Sequence, residues 1–465
     1  MASIGHQLIR DFLGGMVTEA SDFRTPENAM RLIQNMDTDI VGALKVRKGT
    51  TAIGNQIQDG KNCLGLYNFR DAGSGSNNQQ IAVFNNAGDT NAIAYYNNAG
   101  IWTAITGGSS FTASAKLRFA TFSDYVFIVD SAFGEPKSWN GDTSTPLGTT
   151  LLSSAPAGQF VTVFKSRVYI AGTSTNPDRV YFSSIISSTG TITWTSTDYL
   201  DVNQSDGLEG GNITGIENNG TLLLIFKDRA MYRWNGDSTD ANFLIDVGCS
   251  SQESIATRNG ITYFFNPFGI YKTTGGFPTL ISKPVQRWIN AIAGSYYGNV
   301  SGGCDGDHYY CSIGDVTIDG ETFNNVVLTY EISSETWTVR SYAEQARVFA
   351  NYIESDSTAN IMLGNDDGDV QRLNYGATDD GVVIPYRVRT KRLDFLGGSF
   401  SYEKSFSEVL TLGSGLAGAK TVVYTDDEAR PKTFIETLRT LWSYAKGLNY
   451  RGRWFVFELS GQSKD

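Results

Sequence analysis

The chain is short of the residue types on which crosslinking and most side-chain chemistry depend. Its 465 residues include 4 cysteines and 2 histidines. Cys63, Cys249, Cys304 and Cys311 are too sparse for a disulfide framework and no two are spaced C-x-x-C, so they read as buried, reduced thiols. With His6 and His308 as the whole histidine complement, there is no H-E-x-x-H zinc motif, and no G-x-S-x-G elbow has a base to serve it. His308, in "DGDHYY", reads as a strand residue. Charge is also scarce, 18% of residues, with 37 basic against 48 acidic side chains for a net −11. No dense Lys/Arg run is present to displace counterions from a phosphate backbone, which argues against tight attraction to nucleic acid or anionic lipid. The longest apolar runs, such as "LLLIF" (Leu222–Phe226), are far too short to span a bilayer. "MASIGHQLIRDFLGG" at the start lacks the charged opening and apolar centre of a signal peptide. The expectation is a soluble protein made in a cytoplasm, with no membrane anchor.

Proline is rare at 10, whereas glycine reaches 50, hydrophobic residues 40% and aromatics 12%. That is ample apolar area for a core joined by many tight turns. Strand signals dominate: short β-branched or aromatic runs lie between Gly, Asn, Asp and Ser clusters. Examples are "IAVFN" (81–85), "YVFIVD" (125–130), "RVYIAG" (167–172), "TLLLIF" (221–226) and "VVLTYE" (326–331), with "NNAG", "WNGD" and "RNG" as hairpin turns. The runs group into units near 81–106, 116–145, 160–196, 213–247, 255–282, 308–341 and 347–374. They recur with an irregular period close to the ~40–50 residues of a four-stranded propeller blade. "KSWNGD" and "YRWNGD" place Trp139 and Trp234 95 residues apart, which fits one turn written in two blades. Two ordinary hairpins in unrelated sandwiches are the alternative.

Helix signals are few. "SKPVQRWINAI" (282–292) puts Val285, Trp288, Ile289 and Ile292 on one helical face behind Ser282 and Pro284. "TPENAMRLIQNM" (25–36) fits a helix by spacing and a strand nearly as well. After residue 376 the text becomes more charged and alternating, and 376–465 reads as a separate β-rich, sandwich-like module.

The search for chemistry finds no catalytic, cofactor-binding or metal-binding residues to name. "GSGLAG" (Gly413–Gly418) has dinucleotide-loop spacing, but "AKTVVYTDD" after it reads as a strand rather than the required helix. "GNQIQDGKN" (54–62) lacks the Gly spacing and the Ser or Thr of a phosphate loop. Acids cluster in "DGD" (305–307), "NDDGD" (365–369) and "TDDE" (425–428), as solvated turns do; a loop calcium ion is the alternative.

Three stretches resemble the propeller-bearing tail hub, or nozzle, proteins of short-tailed bacteriophages, which include the packaged-DNA stabilisation proteins. "FRTPENAMRLIQNMDTDIVGALKVRKGT" (23–50) is similar to the family's opening, with Gly42, Leu44, Arg47 and Gly49 leading into the first blade. Residues 222–290, from "LLLIFKDRAMYRWNGD" through "PVQRWIN", look like its core succession of strand pair, Gly-Cys turn, Phe-Gly-Ile-Tyr hairpin and short helix. "RGRWFVFELSG" (451–461) is similar to its basic-aromatic last strand.

The expected architecture is therefore all-β: an irregular β-propeller of six or seven blades over 56–375, an N-terminal arm with its lead-in strand over 1–55, and the C-terminal module. The resemblance implies a non-enzymatic virion tail protein, made in the host bacterial cytoplasm. It implies a self-associated ring, a hexamer, below the portal–adaptor proteins. That ring would retain packaged DNA and conduct it during ejection without binding it tightly, and would meet tail fibre or needle proteins. The alternatives are a receptor-binding or glycan-cleaving propeller of the phage tail, against which the missing Asp-box repeats count, and an intracellular peptide-binding scaffold.

Overall fold

Strands that are covered on both faces carry unbroken apolar runs instead of alternating ones. Val126–Val129 and Leu223–Phe226 are such runs, each residue 1% exposed or less. In the computed structural model each is the second strand of a sheet sandwiched between two others. The structure describes residues 8–463 apart from 22–23, 39–40, 72–76, 188–189, 203–210, 239, 354–358, 395–403, 413–418, 426–431 and 436–441.

Seven antiparallel sheets follow one another around a ring. Blade 1 is Cys63–Phe69, Gln79–Asn85, Asn91–Asn98 and Ile101–Ala104, and blade 2 is Leu117–Phe122, Tyr125–Asp130 and Lys137–Trp139. Blade 3 is Gly158–Phe164, Arg167–Thr173, Arg179–Phe182 and Tyr199–Asp201; blade 4 is Ile213–Asn218, Leu223–Lys227, Met231–Trp234 and Asn242–Ile245. Blade 5 is Ala256–Arg258, Ile261–Asn266, Gly269–Thr273 and Thr279–Leu280, and blade 6 is Ser301–Cys304, His308–Ile318, Glu321–Glu331 and Thr336–Ser341. Blade 7 takes Val348–Ile353, Ala359–Gly364 and Val370–Leu373 from the chain in order, then borrows Thr50–Ala52 as its fourth strand.

Apolar clusters fill every joint. Separate ones lie between blades 1 and 2, 2 and 3, 3 and 4, 4 and 5, 5 and 6, and 6 and 7. A seventh, with Leu66, Phe84 and Trp102 against Met362 and Val370, joins blade 7 back to blade 1. The circuit closes, and the protein is an all-β propeller. Blades 1 and 6 begin one strand earlier than the sequence units at 81 and 308 suggest. Cys63–Phe69 and Ser301–Cys304 carry glycines that admit close neighbours, so they score weakly as strands.

The two "WNGD" copies are the same turn in blades 2 and 4. Each Trp ends a third strand and caps its own turn: Trp139 Nε1 donates to the carbonyls of Asp142 (3.1 Å) and Thr145 (2.9 Å), and Trp234 Nε1 to that of Ser238 (2.8 Å). Asn140 and Asn235 side-chain oxygens accept the amides of Asp142 and Asp237, while Gly141 and Gly236 take φ of +78° and +87°. Each indole packs on the preceding blade, Trp139 against Tyr96 and Trp234 against Tyr169 and Phe182. Removing either ring would open a cavity costing about 3–5 kcal/mol.

The end segments are sewn into the ring. Segment 25–36 holds a strand, Met30–Gln34, and not a helix, because it lies between Thr336–Ser341 of blade 6 and Pro385–Thr390. Pro385–Thr390 pairs in turn with Val456–Gln462, which pairs with Lys420–Tyr424. Four strands of residues 376–465, expected as a separate module, thus share one continuous nine-stranded sheet with blade 6, namely Pro385–Thr390, Val456–Gln462, Lys420–Tyr424 and Lys432–Ile435, while Lys404–Leu412 and Trp442–Gly452 pair in a two-stranded sheet of their own. Likewise the segment with Gly42, Leu44, Arg47 and Gly49 leads to the outer edge of blade 7, not into blade 1. At Gly49 any Cβ would lie 1.8 Å from the Thr378 carbonyl oxygen, so the close approach there requires glycine. The helix expected over 282–292 is present as a 3₁₀ turn, Lys283–Val285, running into Gln286–Asn290. "GSGLAG" and residues 426–428 lie outside the described residues.

Candidate functional site

Innermost strands of successive blades all run in the same direction along the axis, so their starting ends meet on one face. At that face Lys116 and Arg118 of blade 2 converge on Glu253, from the 3₁₀ turn Gln252–Ser254 that leads into blade 5. Lys116 Nζ lies 3.1 Å from Glu253 Oε2, and Arg118 Nε donates to Oε1 at 2.9 Å. Lys116 also donates to the carbonyl of Gly298, and Arg118 to that of Gln159 (2.8 Å) while stacking over the Phe160 ring. Blades 2 and 5 stand three steps apart in a ring of seven, so this ion cluster crosses the axis. Burial pushes the Glu253 carboxyl up, but Arg118 and then Lys116 outweigh it and hold the group at about 2. Deeper along the inner strands, Glu217 of blade 4 accepts a hydrogen bond from Thr257 of blade 5; burial dominates there and raises its carboxyl to about 7.

A cavity of about 130 Å³ opens beside the cluster, lined by Lys116 and Arg347 with Asn62, Asn85, Ser114 and Asn299 among others. Apart from Asn85, which ends the second strand of blade 1, these residues come from the starts of blades 1, 2, 6 and 7. No motif marks them, because they are single polar residues, most of them at unit boundaries, and only those boundaries could have pointed there. A second cavity, about 310 Å³, lies between blade 3 and the segment that leads into it, and is lined by Ser154, Thr173, Ser174, Tyr181 and Trp194 among others.

A different charged cluster sits where the ring closes. Arg47, whose side chain is fully buried, grips Asp379 with two bonds (2.8 and 2.5 Å), donates to Asn35 Oδ1 and the Ser341 carbonyl, and stacks on Tyr342. Arg340, also buried, joins Asp37 (2.8 Å) of the N-terminal segment to Asn374 (2.9 Å) beyond blade 7. Asn374 donates to the Tyr310 hydroxyl, which donates to Asp305 (2.7 Å). His308 opens a strand of blade 6, as its sequence suggests, and lies between Asp305 (3.6 Å) and Glu331 (2.8 Å). Burial lowers its pKa, but those two carboxylates outweigh burial and raise it to about 9.

All four cysteines are buried and unpaired, with burial pushing their thiols up to about 11–12. Among the described residues no group of three or more His, Cys, Asp or Glu is placed to hold a metal ion, including the described Asp-rich turns at 305–307 and 365–369. No described helix is long and apolar enough to cross a membrane.

No protein-family model matches the chain, and no curated protein matches it. Among solved structures it is similar to YCF48 bound to D1 peptide, at 10% identity and a TM-score of 0.42, over 69% of this chain and 94% of that one. It is similar also to BamB from Moraxella catarrhalis, at 12% identity and a TM-score of 0.38, over 67% and 83%. Both are β-propeller proteins, the architecture that the sheet order and the closed circuit of clusters establish here.

Proposed function

We propose that this chain is a structural subunit of a bacteriophage tail hub, acting mechanically in a ring that holds packaged DNA below the portal–adaptor proteins and lets it pass on infection. The observation that carries this reading is how the molecule is braced. Its axis is crossed by the Lys116–Glu253–Arg118 cluster, and both end segments are hydrogen-bonded into the ring. A propeller braced in this way has no open bore, so a DNA channel would lie between copies around a ring and not within one copy. The acidic balance suits such a conduit, since a wall of like charge limits sticking. The stretches that resemble tail hub proteins fall at the bracing points: Arg47 and Gly49 at the closure, Val456–Gln462 in the shared sheet, and 222–290 across blades 4 and 5.

Particles assembled without this chain provide the test. A hub predicts heads that package DNA and then lose it. Heads that keep their DNA but fail to attach to cells would favour the receptor-binding alternative, and cleavage of a host glycan by the purified protein would favour the enzymatic one.

A further inference from the structure

The axial cavity differs from its surroundings in the sign of its charge. In a chain of net −11, the charged side chains on its wall among the described residues are Lys116 and Arg347. Their partners Glu253 and Asp366 are outside the lining. Arg347 touches Asp366 through Nη2 at 3.5 Å, but its Nε–H is shielded from water and meets no acceptor. An unpaired buried donor of this kind carries a desolvation penalty. Lys116 uses two of its three N–H groups, on Glu253 and the Gly298 carbonyl, leaving one. Ser114 Oγ accepts from Asn85 Nδ2 at 3.0 Å, so its own hydrogen is free to donate. The exposed amides of Asn62 and Asn299 add polar groups, and Cys63, Leu64 and Val348 supply the apolar part of the lining. The walls therefore offer donors from several blades with no carboxylate among them.

We propose that this cavity binds a single oxyanion group, a phosphate or a carboxylate, at the mouth of the propeller axis. The size sets the limit: about 130 Å³ holds the equivalent of about four waters at ~30 Å³ each, enough for one such group and too little for a nucleotide. Two cations and several neutral donors suit an anion, because charge-assisted hydrogen bonds are the stronger ones. A neutral acceptor could pair with the N–H donors but would leave the two cations without a counter-charge, and a cation would meet like charge.

The test is calorimetric titration of the full chain with inorganic phosphate, sulfate and acetate, at ionic strength fixed with sodium chloride. Saturable binding of phosphate or sulfate is expected, weakened at least about tenfold, or ~1.4 kcal/mol, by Arg347→Gln and by Asn299→Asp. Asn299 is exposed, so its variant keeps the fold and carries a negative charge to the cavity. Acetate binding as tightly as phosphate supports the proposal and identifies a carboxylate as the natural group; phosphate and sulfate alone support it with a free tetrahedral anion. No saturation below roughly 10 mM, far weaker than the ~1 mM that corresponds to −4.1 kcal/mol, overturns it. So does binding undiminished in both variants.

Discussion

At the ring closure Arg47 faces Asp379, Arg340 faces Asp37, and His308 lies between Asp305 and Glu331; at the axis Lys116 and Arg118 share one carboxylate, Glu253. Both clusters tie together parts of the chain far apart in sequence, yet they are balanced differently. The closure matches each cation with an acid and buries the result, which suits a permanent fastening. The axial cluster has cations to spare beside a cavity of about 130 Å³, which suits a brace that also presents a site. The lesson is that the balance of donors and acceptors, more than the mere presence of charge, separates a fastening from a site.

Breaking the closure should have the largest effect. Arg47→Met leaves Asp379 without its counter-charge in a nearly dry setting, and removal of one partner from a buried pair typically costs about 3–5 kcal/mol. Urea unfolding should show that loss, and limited proteolysis should release the segment before residue 50 ahead of the blades. Glu253→Gln should cost less, about 1–3 kcal/mol, because its two cations keep the Gly298 and Gln159 carbonyls and remain partly hydrated. As a baseline, Lys272→Ala removes an exposed pair with Glu335 and should shift stability by no more than about 0.5 kcal/mol.

Acidity sharpens the comparison further, since the axial carboxylate titrates at the acid end while the closure titrates at both ends. Glu253, held at about 2 against an ordinary 4.5, contributes stability above pH 4.5 that is lost as pH falls towards 2. Asp305, also held at about 2 by His308 in spite of burial, adds to the same acid limb. His308, raised from 6.5 to about 9, contributes fully below pH 6.5 and loses that contribution as pH rises through 9. Glu217 works in the same direction as His308: its carboxyl, raised from 4.5 to about 7, favours the folded state at low pH and less so above 7. Thermal unfolding across pH should therefore peak between roughly 4.5 and 6.5. His308→Gln should flatten the alkaline limb and, by releasing Asp305, weaken the acid limb as well, whereas Glu253→Gln should flatten the acid limb alone.

How much of this was legible beforehand follows from which interactions are local. Alternation, apolar runs and Asn-Gly turns are written within single hairpins, so the all-β class and the repeated Trp turn could be read directly, and the blade units came out nearly in register. Thr50–Ala52 and Met30–Gln34 could not be placed, because their partners lie some 300 residues onward and a short strand carries no mark of its neighbour. The same reason hid the continuity of 385–390 and 456–462 with blade 6, where a change of composition suggested a boundary. No candidate site residue was named from the sequence. Lys116, Ser114, Asn299 and Arg347 are unremarkable one at a time, and only ring closure brings them to one cavity.

The claim on which the functional account rests is that this braced propeller is a building block of a ring. Sedimentation of the purified full chain, alone and mixed with a portal–adaptor complex, tests it most directly. The account predicts a discrete, saturating mass increase on the complex, matching a fixed number of copies arranged in a closed ring. A chain that sediments as a monomer and leaves the portal–adaptor complex unchanged would contradict it.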